Sequence, residues 1–401
     1  MQELKSKIQD KAAEIWPEIV EARRHLHAHP ELSFEEKETS AFVSAYLSKL
    51  GIEHKTGIGG YGIVGHIYGN NPDSGMVALR ADMDALPITE ENDVSYCSTN
   101  PGVMHACGHD VHTANLLGVA NILNSLRSDF SGTIRLIFQP AEEKFPGGAS
   151  LMIEEGVLQN PVPDCIIGMH VYPQMEAGEA GLRPGPYMAS ADEIYVTVKG
   201  KGGHGALPHT IVDTVMLTSQ MINALQTIVS RSSDPTIPSV LTFGKIQSKG
   251  GATNVIPDEV YLEGTFRTMD EPWREKAHDL IKRTANGVVE ALGGTVDFNI
   301  IKGYPFLVND PELSELVYND MDEFLGKENN QILPIRMTAE DFAYYCHHIP
   351  AVFFRIGTSN HAKKLGAPLH TSYFDVDEKC LEFGSGLMAW CAIQRLNALQ
   401  K

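Results

Sequence analysis

The chain has 401 residues, enough for roughly two or three domains, and its 43% hydrophobic and 21% charged composition is ordinary for a globular protein. No apolar run approaches the ~20 residues a membrane-spanning helix needs, so a transmembrane reading is excluded. With 51 Asp plus Glu against 32 Lys plus Arg, the net charge of −19 repels phosphate backbones and anionic lipid, which argues against nucleic-acid and membrane partners.

The N-terminus begins Met1-Gln2-Glu3-Leu4-Lys5 with no apolar secretory core, and the six cysteines (Cys97, Cys107, Cys165, Cys346, Cys380, Cys391) lack framework spacing. A reducing cytoplasm is the expected compartment. Ile8, Ile15, Trp16 and Ile19 among charges predict a packed surface helix. At its end His25, His27 and His29 alternate, and residues two apart do not share a helix face, so local structural roles are expected. The run Gly57-Ile58-Gly59-Gly60-Tyr61-Gly62 fits G-x-G-x-x-G but precedes a strand-like segment instead of opening a helix, so it reads as a turn.

From here short apolar strands alternate with helical stretches, the pattern of an α/β sheet. Strands are predicted at 76–80, 133–138, 165–169 and 351–356, each nearly continuous in apolar residues as strands covered on both faces are. The first leads to Asp82 and Asp84. Next comes Met104-His105-Ala106-Cys107-Gly108-His109-Asp110, which packs a thiol, two imidazoles and a carboxylate around a glycine, followed by a predicted helix over 113–126 carrying Leu116, Leu117, Ala120 and Leu123. The second strand leads to Glu142 and Glu143, the third to His170, and the fourth lies shortly before His370. Ligands collect outside the carboxyl ends of strands in open α/β sheets, so these groups are expected to converge on one crevice.

The middle segment follows a different pattern. Ile194, Val196 and Val198 alternate with polar residues, and a helix follows with Met221, Ile222, Leu225, Ile228 and Val229 on one face. Strands at 240–246 and 260–267, a helix with Trp273, Ala277, Leu280, Ile281 and Val288, and a strand with Val296, Phe298 and Ile300 complete β-α-β-β-α-β, the split unit of ferredoxin-like folds. An inserted domain is therefore expected over 185–301, between catalytic parts 1–184 and 302–401. Arg183-Pro184-Gly185-Pro186 and Gly303-Tyr304-Pro305 read as its hinges.

Cys107, His109, Glu143, His170 and His370 offer thiolate, imidazole and carboxylate, a donor set that suits Zn²⁺ or another late first-row ion better than Mg²⁺ or Ca²⁺. Gly108 permits the tight turn that brings Cys107 and His109 to one ion. The adjacent glutamates suggest divided labour: Glu143 binds the metal, while Glu142 stays off it and moves protons. Without the other ligands, Glu142-Glu143 would read as a solvated loop, and Cys107 with His109 would read equally as metal ligands or as a buried apolar thiol and a cap of the following helix. Two rival classes stand beside the metal hydrolase. One is a cysteine hydrolase with Cys107 as nucleophile and His109 or His105 as base, which metal independence would mark. The other is a noncatalytic binding protein, disfavoured because a pure binding site needs no second carboxylate beside the ligand one.

At these residues the chain resembles the M20 metallopeptidase family, specifically its amidohydrolase branch of N-acyl-amino-acid, hippurate and auxin-conjugate hydrolases. The match runs nearly end to end and includes Arg24-His25-Leu26-His27-Ala28-His29-Pro30-Glu31, Arg80-Ala81-Asp82-Met83-Asp84-Ala85-Leu86-Pro87, the Cys-Gly-His-Asp segment, Gln139-Pro140-Ala141-Glu142-Glu143, Gly202-Gly203-His204 and Glu340-Asp341-Phe342. The resemblance implies a mixed-sheet di-metal catalytic domain with an inserted α+β lid and dimerisation domain. It implies two divalent ions per subunit (Zn, Mn, Co or Ni) on Cys107, His109, Glu143, His170 and His370, with Cys107 bridging and Asp84 steadying a ligand by hydrogen bonding. Much of the wider family has aspartates where this branch has Cys107 and His170. The resemblance also implies a homodimer in which His204 reaches the neighbouring subunit's site and stabilises an oxyanion, while Asn254 and Arg267 hold the substrate. Taken from the residues alone, these three are a loop histidine, a turn asparagine and a solvated strand arginine. The implied reaction is hydrolysis of an N-acyl amino acid to a carboxylic acid and a free amino acid. A dipeptidase or aminoacylase-like peptidase on the same metals is the alternative.

Overall fold

A computed structural model of the chain describes residues 2–250 and 252–400, and the chain divides into two compact units. The larger comprises Met1–Tyr187, Val308–Pro334 and Asp341–Lys401; the smaller comprises Met188–Leu307 and Ile335–Glu340.

The larger unit is built on an eight-stranded mixed sheet in the order 53–58, 62–68, 133–139, 76–82, 165–176, 351–359, 180–182, 330–332. Its four central strands, Thr133–Gln139, Met76–Asp82, Cys165–Glu176 and Ala351–Ser359, are all parallel to their neighbours in that group. Their carboxyl ends therefore point to one edge, as the apolar runs imply. Every residue of the 76–82, 133–139 and 351–359 strands is buried. Helices Gln2–Ala28, His109–Ser125 and Lys379–Leu399 pack on one another and contribute Ile8, Ile19, Leu117, Val119, Trp390 and Ile393 to one core. Burying such a side chain contributes ~1.5–3 kcal/mol. The G-x-G-x-x-G segment is the turn of an antiparallel hairpin joining Glu53–Ile58 to Gly62–Tyr68.

Two elements differ from their sequence pattern. The 165–169 strand runs on to Glu176, because residues 351–359 continue alongside it and satisfy its backbone. The 113–126 helix starts four residues earlier, at His109, directly after Gly108 at φ 81°. A Cβ there would meet the Val171 side chain at 2.6 Å, so both conformation and space require glycine. Its first turn holds buried His109, Asp110, His112 and Thr113, and buried polar residues carry no apolar periodicity to read.

The smaller unit is a four-stranded antiparallel sheet in the order 239–248, 259–268, 192–199, 295–302, with helices Thr214–Thr227 and Glu271–Ala291 packed together. The chain order is β-α-β-β-α-β. Ile194, Val196 and Leu262 from the sheet meet Leu217, Met221, Trp273 and Ile281 from the helices in a separate core. Asp213 and Asp270 cap the two helices by accepting main-chain N–H groups. The unit extends to Leu307, and it takes in residues 335–340, which no local pattern announces. Long-range hydrogen bonds cause both: Ala191 N–H donates to Tyr304 O, Ala189 N–H to Thr338 O, and Arg267 to Met337 O. Among the described residues, no helix is long and apolar enough to cross a membrane.

Candidate metal centre

The carboxyl ends of the parallel strands and the turn at Gly108 bring four side chains, His109, Glu143, His170 and His370, around the Cys107 sulfur. His170 Nε2 lies 3.5 Å from Sγ and His370 Nε2 lies 3.3 Å from it. Cys107, His109 and His170 place one donor atom each within 4.8 Å of one another, and so do Cys107, Glu143 and His370. The thiol thus belongs to two trios, the arrangement a bridging ligand requires. Glu143 Oε1 is 3.3 Å from His370 Nε2 and 4.0 Å from His109 Nε2.

The surrounding hydrogen bonds orient these rings. His109 Nδ1 donates to Asp84 Oδ1 at 3.0 Å, and His170 Nδ1 donates to the Val171 carbonyl at 2.7 Å. Each ring therefore presents its Nε2 lone pair to the centre, the usual support for a metal-binding imidazole. Among the described residues, the buried His109 Nε2 has no hydrogen-bond partner of normal geometry. An orphaned lone pair of this kind, beside a thiol and a carboxylate, fits a late first-row cation. Hydrogen bonds to Cys107 and Glu143 push His370 up to about 10, so the negative charge of the pocket favours a cation. His370 sits on an exposed loop at φ 60°, and its N–H donates to Ala106 O at 2.8 Å, which ties the loop to the Cys107 turn.

Asp84 is fully buried and serves three donors: His109 through Oδ1, and Ser33 Oγ (2.6 Å) and Glu143 N–H (2.9 Å) through Oδ2. Burial opposes ionisation, yet these bonds hold its carboxyl below the usual value. Asp82 is engaged elsewhere, by Arg80 and by His112 Nδ1 at 2.6 Å. One Glu142 oxygen lies within 4.8 Å of a His109 nitrogen and a Glu143 oxygen, and Glu142 Oε1 accepts the Asp341 N–H at 3.3 Å. Glu142 belongs to neither Cys107 trio, whereas Glu143 belongs to one.

Burial and the Glu143 charge push the Cys107 thiol up. An activated nucleophilic cysteine is shifted the other way. His27 is buried in a structural network: its Nδ1 faces Asp110 at 2.8 Å, its Nε2 faces Glu90 at 3.1 Å, and Arg23 donates to the same Asp110.

Sequence reasoning passed over His112 and Glu36. His112 Nδ1–H donates to Asp82 while its Nε2 accepts the Val171 N–H at 2.9 Å, which positions the strand beside His170. The available signal was its place one helical turn after His109. Glu36 is wholly buried, and its Oε1 accepts the Ala141 N–H at 2.7 Å; only the tertiary structure brings it there.

The remaining predicted residues lie in the smaller unit. His204 is exposed in a short strand paired with Val255–Ile256, and its Nδ1 accepts the Ala206 N–H. Asn254 neighbours it, since the Gly205 N–H donates to Asn254 O at 2.8 Å. Arg267 is half-buried on the 259–268 strand, and among the described residues it donates only to the Met337 carbonyl.

Comparison with known proteins gives a consistent result. The profile of peptidase family M20/M25/M40 matches residues 78–392. The N-acyl-L-amino acid amidohydrolase of Geobacillus stearothermophilus is 44% identical over 305 residues, spanning 76% of this chain and 81% of its own. The N-acetyl-L-cysteine deacetylase of Bacillus subtilis is 41% identical over 367 residues, spanning 91% of this chain and 85% of its own. Among solved structures, the Bacillus subtilis YxeP protein, a dinuclear metal binding peptidase from the M20 family, superposes with a TM-score of 0.82 at 32% identity, covering 96% of this chain and 99% of that one. The donor set, the parallel strand ends that deliver it and these similarities lead to one assignment: the chain belongs to peptidase family M20/M25/M40.

Proposed function

We propose that the protein hydrolyses the amide bond of N-acyl amino acids, using Cys107, His109, Glu143, His170 and His370 to hold two divalent ions of the Zn, Mn, Co or Ni class. The observation that carries this reading is the pair of donor trios sharing the Cys107 sulfur, with the Glu142 carboxylate beside them. The relatives named for acyl-amino-acid hydrolysis support the substrate class. When bound, such ions acidify a water toward a pKa of ~7 and polarise a carbonyl. Glu142 takes a proton from the attacking water as its oxygen bonds to the acyl carbon. It then delivers that proton to the departing nitrogen as the C–N bond breaks, giving a carboxylic acid and a free amino acid.

Arg267 and Asn254 hold the substrate carboxylate. A guanidinium grips a carboxylate through two parallel hydrogen bonds that an ammonium cannot copy. The 188–307 unit acts as lid and dimer contact, with the 239–248 edge strand, exposed along most of its length, covered by a second copy. His204 then serves the partner subunit's site as an oxyanion donor. The protein works in the cytoplasm. A dipeptidase on the same metals is the second reading.

A screen over N-acetyl, N-benzoyl and indole-acyl amino acids, their amides and short dipeptides tests the assignment, run on wild type and on Arg267→Lys. N-acyl amino acids are the expected substrates, and the variant loses far more activity on them than on the corresponding amides. Preference for dipeptides transfers the site to the second reading, and an equal loss on acids and amides removes Arg267 from the binding role.

A further inference from the structure

Ala141, directly before the two glutamates, is fully buried at φ 53°, a left-handed conformation that costs a residue bearing a Cβ about 1–2 kcal/mol. Such strain persists only where the surroundings enforce it, and it collects at functional sites. Here the enforcement is explicit. The Ala141 N–H donates to Glu36 Oε1 at 2.7 Å, and the Ala141 carbonyl accepts the Gly148 N–H at 2.9 Å. Two residues on, the Glu143 N–H donates to Asp84 Oδ2 at 2.9 Å. Two buried carboxylates thus hold the main-chain N–H groups on either side of Glu142. Ser33, three residues before Glu36, also bonds Asp84, so one segment braces both carboxylates' sites.

We propose that Glu36 is a positioning residue for the hydrolytic reaction, which holds Ala141 left-handed so that Glu142 meets the attacking water while Glu143 turns to the metals. This rests on the reading of Glu142 as the proton carrier. Asp84 controls the ligand side of the dipeptide, and Glu36 controls the side that carries the proton. Loss of Glu36 therefore lowers kcat and leaves KM and metal content in place.

The test uses the metal-loaded enzyme and reads kcat, KM, bound metal and Tm for a set of variants. Glu36→Leu removes the acceptor and is expected to lower kcat about 10–100-fold with two ions still bound, the loss a small displacement of a reacting group produces. Glu36→Gln keeps an acceptor oxygen and is expected to restore kcat to within about threefold of wild type. Glu36→Asp retains the charge but stops one methylene short; it shares the kcat loss and covers the case in which the leucine variant does not fold. Adding Ala141→Gly to Glu36→Leu or Glu36→Asp removes the Cβ penalty and is expected to regain about fivefold in kcat, whereas a generally weakened scaffold gains nothing from a further glycine. Full turnover in Glu36→Asp, or a loss that tracks metal content or Tm, or no gain from Ala141→Gly, overturns the role of Glu36. Glu142→Gln separates the two claims: if it retains full activity, the Glu142 reading fails and this inference with it, while an inactive Glu142→Gln beside a fully active Glu36→Asp overturns only Glu36.

Discussion

Replacing Asp84 by Asn is the smallest change that tests how the centre is supported. Asp84 is fully buried between donors on both sides, His109 Nδ1–H on one and Ser33 O–H with Glu143 N–H on the other. Asparagine brings one acceptor oxygen and one NH₂ group. With its NH₂ toward His109, two donors face each other unless the imidazole changes tautomer, and that change removes the Nε2 lone pair from the centre. With its NH₂ toward Glu143, the opposed donor is the main chain of the carboxylate ligand, and Glu143 is pushed away. Either choice leaves one buried donor unmet at ~1–3 kcal/mol, which corresponds to roughly 5–150-fold in metal affinity. That range brackets the ~10–100-fold typical of groups that orient metal ligands. Metal affinity measured by chelator competition, with circular dichroism and Tm as controls for folding, is the assay. An affinity within twofold of wild type refutes the argument, because one of the two ligands is then held by something other than Asp84.

Glu142→Ala is expected to keep both ions and lose roughly 10²–10⁴ in kcat, whereas Glu143→Ala loses metal as well; equal metal loss in both, measured by elemental analysis, ends the division of labour. Mixing a His204→Ala chain with a Glu142→Ala chain should restore part of the activity, because one site in each mixed dimer is whole, and verified heterodimers without recovery reject a trans histidine. Burial pushes the Glu90 carboxyl up, but the hydrogen bond and charge of His27 hold it down to about 2, against an ordinary value of 4.5. A depressed folded pKa gives stability that is present above the unfolded value and lost as pH falls through the folded one. Tm should therefore drop from pH ~4.5 toward about 2, and Glu90→Gln should flatten that part of the profile; an unchanged slope refutes it.

The strand ends were legible because parallel strands buried on both faces are nearly continuous in apolar residues, and their direction sends Asp84, Glu143 and His170 to one edge. Cys107 and His109 taken alone read equally as a buried thiol and a helix cap, and only Glu143, His170 and His370 at the neighbouring strand ends tip them toward a metal. The start of the helix at His109 was hidden, since its first turn is buried and polar and so lacks the apolar repeat. Glu36 was hidden for a different reason: it stands in a charged run, Glu35-Glu36-Lys37-Glu38, where only Glu36 is fully buried and only the fold brings Ala141 to it. Residues 335–340 join the smaller unit through their own main-chain carbonyls, Thr338 O accepting the Ala189 N–H and Met337 O accepting the Arg267 guanidinium, and acceptance by a carbonyl leaves no mark on the side-chain pattern of 335–340.

The central claim is that metal held at Cys107, His109, Glu143, His170 and His370 activates the water that cleaves an N-acyl amino acid. Titrating metal-free protein with Zn²⁺, Mn²⁺, Co²⁺ or Ni²⁺ while following release of the free amino acid tests it most directly. Activity should be absent without metal, rise with occupancy to a plateau at two ions per chain, and vanish on chelation. Full turnover in protein stripped of metal would contradict it.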